Sequence, residues 1–171
     1  MGVFNMQGGK NPSKLESLKL DLLSTPVSKG ELSHQYDILL LSETNLMNLE
    51  EPPPIEGFTF YGNNRIGPSG NRSSGGVGIL LRTSLSEGCQ TMQGEDFIAI
   101  ATSIHGLRWL IVSMYAPITN LQTNKSQFAS IGKLVRQQNK EGTRIVVAGD
   151  MNAHITQLDG RIDGLGKPRP E

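Results

Sequence analysis

Asn5, Glu43, Tyr115, Asp150 and Asn152 each stand at the end of an apolar run, and their types suit one kind of chemistry. In Arg144-Ile145-Val146-Val147-Ala148-Gly149-Asp150-Met151-Asn152-Ala153-His154 the apolar residues stop at Gly149, and Asp150, Asn152 and His154 then take alternate positions. Ile38-Leu39-Leu40-Leu41 runs into Ser42-Glu43-Thr44, Val3-Phe4 into Asn5, and Val112-Ser113-Met114 into Tyr115. Two carboxylates, two carboxamides and a phenol, with no thiolate among them, suit a hard cation such as Mg²⁺ or Mn²⁺. Such a cation polarises a phosphoryl oxygen and stabilises a leaving alkoxide, so the set points to metal-assisted phosphoester hydrolysis. Each residue also has a plainer reading. Asp150 and Asn152 are common turn residues that bond their own backbone. Asn5 can satisfy a local backbone group, Glu43 can cap a turn, and Tyr115 can sit in the core with its hydroxyl wet. Their convergence is what favours a site.

For these groups to meet, strands must deliver them to a common rim. Residues 144–148 read as a strand buried on both faces, and in open α/β sheets ligands bind at the carboxyl ends of the strands. Val3-Phe4-Asn5-Met6 is a short strand candidate that ends in Gly8-Gly9. Ser13 and Glu16 are spaced as a capping box; Leu15, Leu18, Leu22 and Leu23 recur at helical spacing, and Pro26 closes that helix. Asp37–Leu41 follows as a second buried strand. Strand, helix, strand in this order is a βαβ unit with parallel strands and a right-handed crossover, which places Asn5 and Glu43 on one rim.

A second unit repeats the logic. A strand over Arg108–Met114 ends before Pro117, which cannot extend a ladder. A helix passes through Phe128, Ile131, Leu134 and Val135 and ends near Gly142, and strand 144–148 closes the unit, so Tyr115 and Asp150 also share a rim. Between the units, residues 45–74 are turn-rich, with Pro52-Pro53-Pro54, a short aromatic strand Phe58–Tyr61, and Gly67-Pro68-Ser69-Gly70. Gly76–Arg82 reads as a strand. Phe97–Ile104 and Arg108–Tyr115 pair as a hairpin across His105-Gly106, which makes His105 a turn residue. The Gly70–Gly76 stretch is no phosphate-binding loop, because Gly76 stands where the lysine is needed.

The chain has 171 residues, enough for one domain, 1–171, that buries about 70% of its unfolded surface. Residues 160–171, rich in Gly and Pro, read as a loop or tail. Lys+Arg and Asp+Glu balance at 16 each, so the basic excess of a protein that holds nucleic acid by charge alone is missing. A bound divalent cation can supply that positive field locally. The one cysteine, Cys89, excludes an internal disulfide and a Cys-cluster zinc site, and reads as an idle or buried thiol. No apolar run approaches a membrane span, and the start lacks a charged-then-apolar leader. Met1-Gly2 is followed by methionine at position 6, so the myristoylation pattern fails. An intracellular protein without a membrane partner is expected, with the nucleus among its compartments.

Five motifs, in order, carry a family resemblance: Phe4-Asn5-Met6-Gln7-Gly8, Ile38-Leu39-Leu40-Leu41-Ser42-Glu43-Thr44, Gly75-Gly76-Val77-Gly78-Ile79, Val112-Ser113-Met114-Tyr115-Ala116-Pro117 and Val147-Ala148-Gly149-Asp150-Met151-Asn152-Ala153-His154. Together they resemble the endonuclease/exonuclease/phosphatase superfamily, the fold of pancreatic-type deoxyribonuclease and apurinic repair endonucleases. Within it, the sequence is most similar to the endonuclease domain of non-LTR retrotransposon polyproteins. The resemblance implies an α/β fold, a mixed-sheet β-sandwich flanked by helices, and a metal-dependent endonuclease with DNA as partner. It implies that Glu43 ligates Mg²⁺ or Mn²⁺ with Asn5 in support, that Asp150 orients or activates the attacking water, and that Asn152 and Tyr115 hold the scissile phosphate. His154 follows the motif without an assigned role. It joins the substrate-binding candidates with Arg65 and Arg72, which can meet phosphates although surface arginines are more often simply solvated.

The superfamily's domain also carries a Ser-Asp-His motif near its end, which supplies a histidine opposite the phosphate. This sequence contains no Ser-Asp-His, and His34, His105 and His154 lack that context. The resemblance covers almost the whole chain, while the chain covers the earlier part of the domain. A sandwich incomplete at its C-terminal side is therefore expected, with apolar surface and an unpaired strand edge that favour self-association. Two other readings stay open: a non-catalytic remnant that keeps metal or nucleic-acid contacts, and a phosphatase of the same superfamily acting on a phospholipid or inositol phosphate headgroup. The wording of the motifs favours nucleic acid over lipid.

Overall fold

Branched apolar residues make the central strands, because stiff side chains fit a pleated surface that is covered on both faces. The computed structural model describes residues 1–6, 12–23, 36–46, 51–64, 75–116, 121–139 and 142–152. The strands are β1 (Gly2–Asn5), β2 (Ile38–Ser42), β3 (Phe58–Asn63), β4 (Val77–Arg82), β5 (Gln90–Gln93), β6 (Phe97–Ile104), β7 (Leu107–Tyr115) and β8 (Arg144–Asp150). The helices are α1 (Pro12–Leu23) and α2 (Leu121–Gln138). One sheet has the order β1-β2-β4-β3 and the other β5-β6-β7-β8.

Each sheet contains one parallel pair, and in both cases a helix makes the crossover. β1 runs parallel to β2, with Gly2 opposite Leu39 and Asn5 opposite Ser42. β7 runs parallel to β8, with Trp109 opposite Arg144 and Tyr115 opposite Asp150. The other pairings are antiparallel. β6 and β7 meet at the two-residue turn His105-Gly106, where both residues are left-handed (φ 52° and 74°), the twist that a tight hairpin requires.

Alternation along the strands divides the core into layers. Leu39 and Leu41 point outward and pack with Met6, Leu18 of α1, Ile55 and Leu80. Ile38 and Leu40 point inward and join Val77, Ile79, Leu81, Ile98, Ile100 and Ile111 between the sheets. On the far side, Phe97, Ala99, Leu110, Val112 and Met114 pack with Ile131 of α2. The order helix, sheet, sheet, helix is the flanked α/β sandwich expected from the motifs. Polar ties reinforce it: the Ser113 hydroxyl donates to the Leu41 carbonyl at 3.1 Å, and Asn63 Nδ2 donates to the carbonyls of Gly94 and Phe97 at 2.6 and 2.9 Å. Tyr61 packs against the same inter-sheet layer. Burial, and then the neighbouring Cys89 thiol, push its hydroxyl above the usual tyrosine range, against a smaller opposite pull from Ser86. Among the described residues no helix is long and apolar enough to cross a membrane.

Several local expectations change. Strand 144–148 is not buried on both faces: Arg144 is exposed and Ile145–Asp150 are half-buried, because among the described residues β8 pairs with β7 alone and forms the sheet edge. Phe128 is 46% exposed, and the buried residue beside it is Gln127, whose Nε2 donates to the carbonyls of Asp96 (2.8 Å) and Tyr115 (3.1 Å). These two bonds satisfy the amide nitrogen, while Oε1 is buried without a partner among the described residues, so they offset only part of the cost of burying the amide. Helix α2 ends at Gln138, ahead of Gly142. Helix α1 begins at Pro12, so Ser13 lies in its first turn rather than at the cap; proline suits the first helical position, where no N–H is needed. β5, with the sequence Gln-Thr-Met-Gln and mostly exposed, was not anticipated. The expectations for Gly8-Gly9, Pro26, His34, Arg65, Gly67–Gly70, Arg72, Pro117, His154 and 160–171 lie outside the described residues.

Candidate active site at the strand ends

Two parallel crossovers bring the carboxyl ends of β1, β2, β7 and β8 to the same place. Phe4 packs on the α1 side of its sheet, so strand alternation turns Asn5 to the inner side. From there Asn5 Nδ2 reaches Asp150 Oδ2 of the other sheet in a long hydrogen bond of 3.4 Å. The two rims expected from the two βαβ units are therefore one rim. Glu43 follows Ser42, the partner of Asn5 in the β1–β2 ladder.

Both readings of Asp150 hold at once. Its Oδ1 accepts the backbone N–H of Asn152 at 3.1 Å, the local turn bond typical of aspartate, while Oδ2 faces Asn5. Asn152 takes a left-handed conformation (φ 42°), and its Nδ2 donates to the Ala116 carbonyl at 2.9 Å. The Ala116 N–H in turn donates to the Asp150 carbonyl at 2.9 Å. The ends of β7 and β8 are thus laced together beyond their ladder. An amide nitrogen carries two N–H groups, so Asn152 keeps one beyond that bond.

Tyr115 is half-buried, and its ring packs against the inter-sheet layer. Its backbone N–H donates to the Asp96 carbonyl at 3.0 Å. Glu43 is half-buried between Ser42 and Thr44, each 1% exposed. It has φ 51°, a left-handed conformation that costs an L-residue with a side chain roughly 1–2 kcal/mol. Such strain concentrates at functional sites, where the surroundings over-determine it. Among the described residues no hydrogen bond or ion pair engages the Glu43 carboxylate.

The structure therefore brings Asn5, Asp150, Asn152 and Tyr115 together, with Glu43 one residue beyond the ladder partner of Asn5; Arg65, Arg72 and His154 lie outside the described residues. Among the described residues no three His, Cys, Asp or Glu side chains gather as a metal cage. A cavity of about 400 Å³, lined in part by Glu87, Arg108, Trp109, Gln138 and Thr143, lies where β7 and β8 begin, at the opposite end from Tyr115 and Asp150. Sequence reading did not foresee the Ala116 carbonyl as the partner of Asn152, nor Asn45, which bonds Gly75 next to the candidate ligand. The Gly75-Gly76 pair was the available signal, since adjacent glycines mark a close backbone approach.

Gly149 sets the geometry of the last turn of β8. Its φ is 145°, and a Cβ there would lie 2.0 Å from the Met114 carbonyl oxygen. Gly149→Ala is expected to destabilise the chain by roughly 1–3 kcal/mol and to displace Asp150. Denaturant unfolding checks this; an unchanged midpoint would show that the strand end does not depend on glycine.

The sequence matches the Endonuclease/Exonuclease/phosphatase family over residues 2–167. A comparison with curated proteins gave no match. Among solved structures, the chain is similar to the AP endonuclease LMAP from Leishmania major, with TM-score 0.62 and 15% identity, over 88% of this chain and 54% of that one. It is similar to the endonuclease domain of TRAS1, a telomere-specific non-LTR retrotransposon, with TM-score 0.57 and 14% identity, over 90% of this chain and 59% of that one. It is also similar to a humanized D. rerio TDP2 with 14 mutations, with TM-score 0.54 and 15% identity, over 92% and 63%. The chain thus spans between 54% and 63% of the length of these structures.

Proposed function

The chain belongs to the Endonuclease/Exonuclease/phosphatase family, and from that premise we propose that its strand-end cluster serves divalent-metal-dependent hydrolysis of phosphodiesters in DNA, in the manner of a non-LTR retrotransposon endonuclease. The observation that carries the reading is the bond from Asn5 to Asp150, 145 residues apart, which joins the ends of two sheets into one polar rim. The motif wording and the likeness to an endonuclease domain of that retrotransposon type support DNA as the substrate.

The donor set fits Mg²⁺ or Mn²⁺. Glu43 and Asn5 would hold the cation, since Mg²⁺ is commonly bound through one or two carboxylates while keeping several waters. When bound, the cation supplies Lewis-acid polarisation of the phosphoryl oxygen and stabilisation of the leaving alkoxide. Asp150, fixed at both oxygens by neutral donors, orients the attacking water and accepts its proton. The remaining N–H of Asn152 and the Tyr115 hydroxyl donate to phosphoryl oxygens, where charge develops. Calorimetric titration with Mg²⁺ or Mn²⁺ is expected to show weak binding that Glu43→Gln abolishes. Equal affinity in the two proteins would remove Glu43 from the site.

A second reading, a domain that keeps metal and DNA contacts without turnover, is favoured by one observation: the sequence contains no Ser-Asp-His. Losing one preorganised electrostatic donor costs roughly 10²–10³ in rate. The 171-residue chain is accordingly expected to leave supercoiled plasmid un-nicked with Mg²⁺. A version extended through a downstream Ser-Asp-His, where the reading frame carries one, should nick, and Asp150→Ala should abolish that nicking. Robust cleavage by the 171-residue chain, lost on Asp150→Ala, would show that the cluster works without such a histidine.

We also propose self-association through β8, whose half-buried branched residues form a sheet edge among the described residues, a pairing template of the kind proteins usually cover. Light scattering across a concentration series is expected to show oligomers. A sharp monomer at every concentration would contradict it.

A further inference from the structure

Glu43 is held by its neighbours rather than by its own side chain. β2 ends in a segment where Glu43 and Asn45 are both left-handed, with φ 51° and 49°. The residue between them, Thr44, is 1% exposed, and Leu46 after them is fully buried. Two such conformations within three residues persist only where contacts impose them, and three hydrogen bonds do so here. The Asn45 N–H donates to the Gly75 carbonyl at 2.8 Å, and the Thr44 N–H to the Gly76 carbonyl at 3.3 Å. The Gly75 N–H returns a bond of 2.9 Å to Asn45 Oδ1. Backbone and side chain of Asn45 thereby close a ring on one residue, Gly75. That residue lies just ahead of β4, whose Val77 pairs with Ser42 at the end of β2.

The fit needs the residues that are present. Gly75 and Gly76 have φ of 106° and 82°, and a Cβ on Gly76 would lie 2.5 Å from Thr44 Oγ1. Asparagine is among the few residues with a side chain that tolerate the left-handed region, and it carries the oxygen that Gly75 bonds. Alanine offers neither property, glycine only the first, and aspartate both.

We infer that Asn45 is a positioning residue for Glu43: its two-bond clasp on Gly75 imposes the left-handed turn from which the Glu43 carboxylate leaves the rim. The inference rests on the reading of Glu43 as a cation ligand, but it makes a structural claim of its own. A side chain that orients a ligand typically changes metal affinity by roughly 10–100-fold when removed.

The test uses the full chain, isotope-labelled, as wild type, Asn45→Ala, Asn45→Gly, Asn45→Asp and Glu43→Gln. Backbone resonances of Glu43, amide exchange at Gly75 and calorimetric Mn²⁺ affinity are read for each. Asn45→Ala and Asn45→Gly are expected to lose Gly75 protection, shift the Glu43 resonances and weaken Mn²⁺ binding by roughly tenfold or more, while Asn45→Asp restores all three. Asn45→Gly accepts the backbone conformation, so it keeps the comparison readable if Asn45→Ala does not fold. Unchanged Glu43 resonances in Asn45→Gly would overturn the inference, whatever the metal does. So would a Mn²⁺ affinity that falls in Glu43→Gln but holds in Asn45→Gly. Equal affinity of wild type and Glu43→Gln would sink the ligand reading instead, and the resonance arm would still decide whether Asn45 holds Glu43.

Discussion

The layer of branched side chains between the two sheets governs where every rim residue ends up. Ile79, Leu81, Ile98, Ile100 and Ile111 are essentially inaccessible, and Ile38 and Leu40 complete the layer from β2. Side chains on a strand alternate, so a slip of one residue would exchange the two faces throughout. In β1 it would turn Asn5 outward and put Phe4 into the gap. The cost of exposing that layer is therefore what places Asn5 opposite Asp150. The hydrogen bond between them at 3.4 Å reports the registration of the sheets more than it creates it. The Ser113 hydroxyl on the Leu41 carbonyl, buried between the layers, works at the same level.

Strand direction then supplies the chemistry with its groups. Among the described residues β1 pairs with β2 and β8 with β7, both in parallel, so their carboxyl ends lie beside the carboxyl ends of β2 and β7. Hairpin connections would have sent half of these ends to the other pole, where the cavity near Trp109 lies. A helix crossover costs a dozen or more residues of chain, and the chain uses it twice, both times where a strand ends in a candidate residue. The remaining pairings are antiparallel, and the strands they add, β3 to β6, bring none of the candidate residues to the rim.

At the rim itself, one residue ties its own turn to the facing sheet. Asp150 closes a local turn with one oxygen and meets the other sheet with the second, which fixes the carboxylate without a cationic partner among the described residues. Glu43 has the opposite arrangement. Its backbone is constrained from both sides while its carboxylate is unengaged among the described residues. The proposed activation of water next to a cation would call for such a pair, an oriented acceptor and a carboxylate left available.

Patterns a few residues long were legible without any structure. The apolar runs before Asn5, Glu43, Tyr115 and Asp150 announced strands, Leu18 and Ile131 announced helices, and His105-Gly106 announced a tight hairpin, because periodicity and turn chemistry act on neighbours in the chain. Two strand-helix-strand passages were enough to assign parallel pairs and hence shared rims. Tertiary contacts decided the rest. The burial of Gln127 in place of Phe128 depends on carbonyls of Asp96 and Tyr115, which no helical period reveals. The incomplete burial of β8 depends on its place at the sheet edge among the described residues, not on its composition of Ile, Val and Ala. β5 is polar and mostly exposed, and only its ladder to β6 makes it a strand. The clasp of Asn45 on Gly75 spans 30 residues and the Asn5–Asp150 bond spans 145; contacts at such separations form only when the whole chain has closed around its core, so local sequence carries the parts of the site and the packed sandwich carries their meeting.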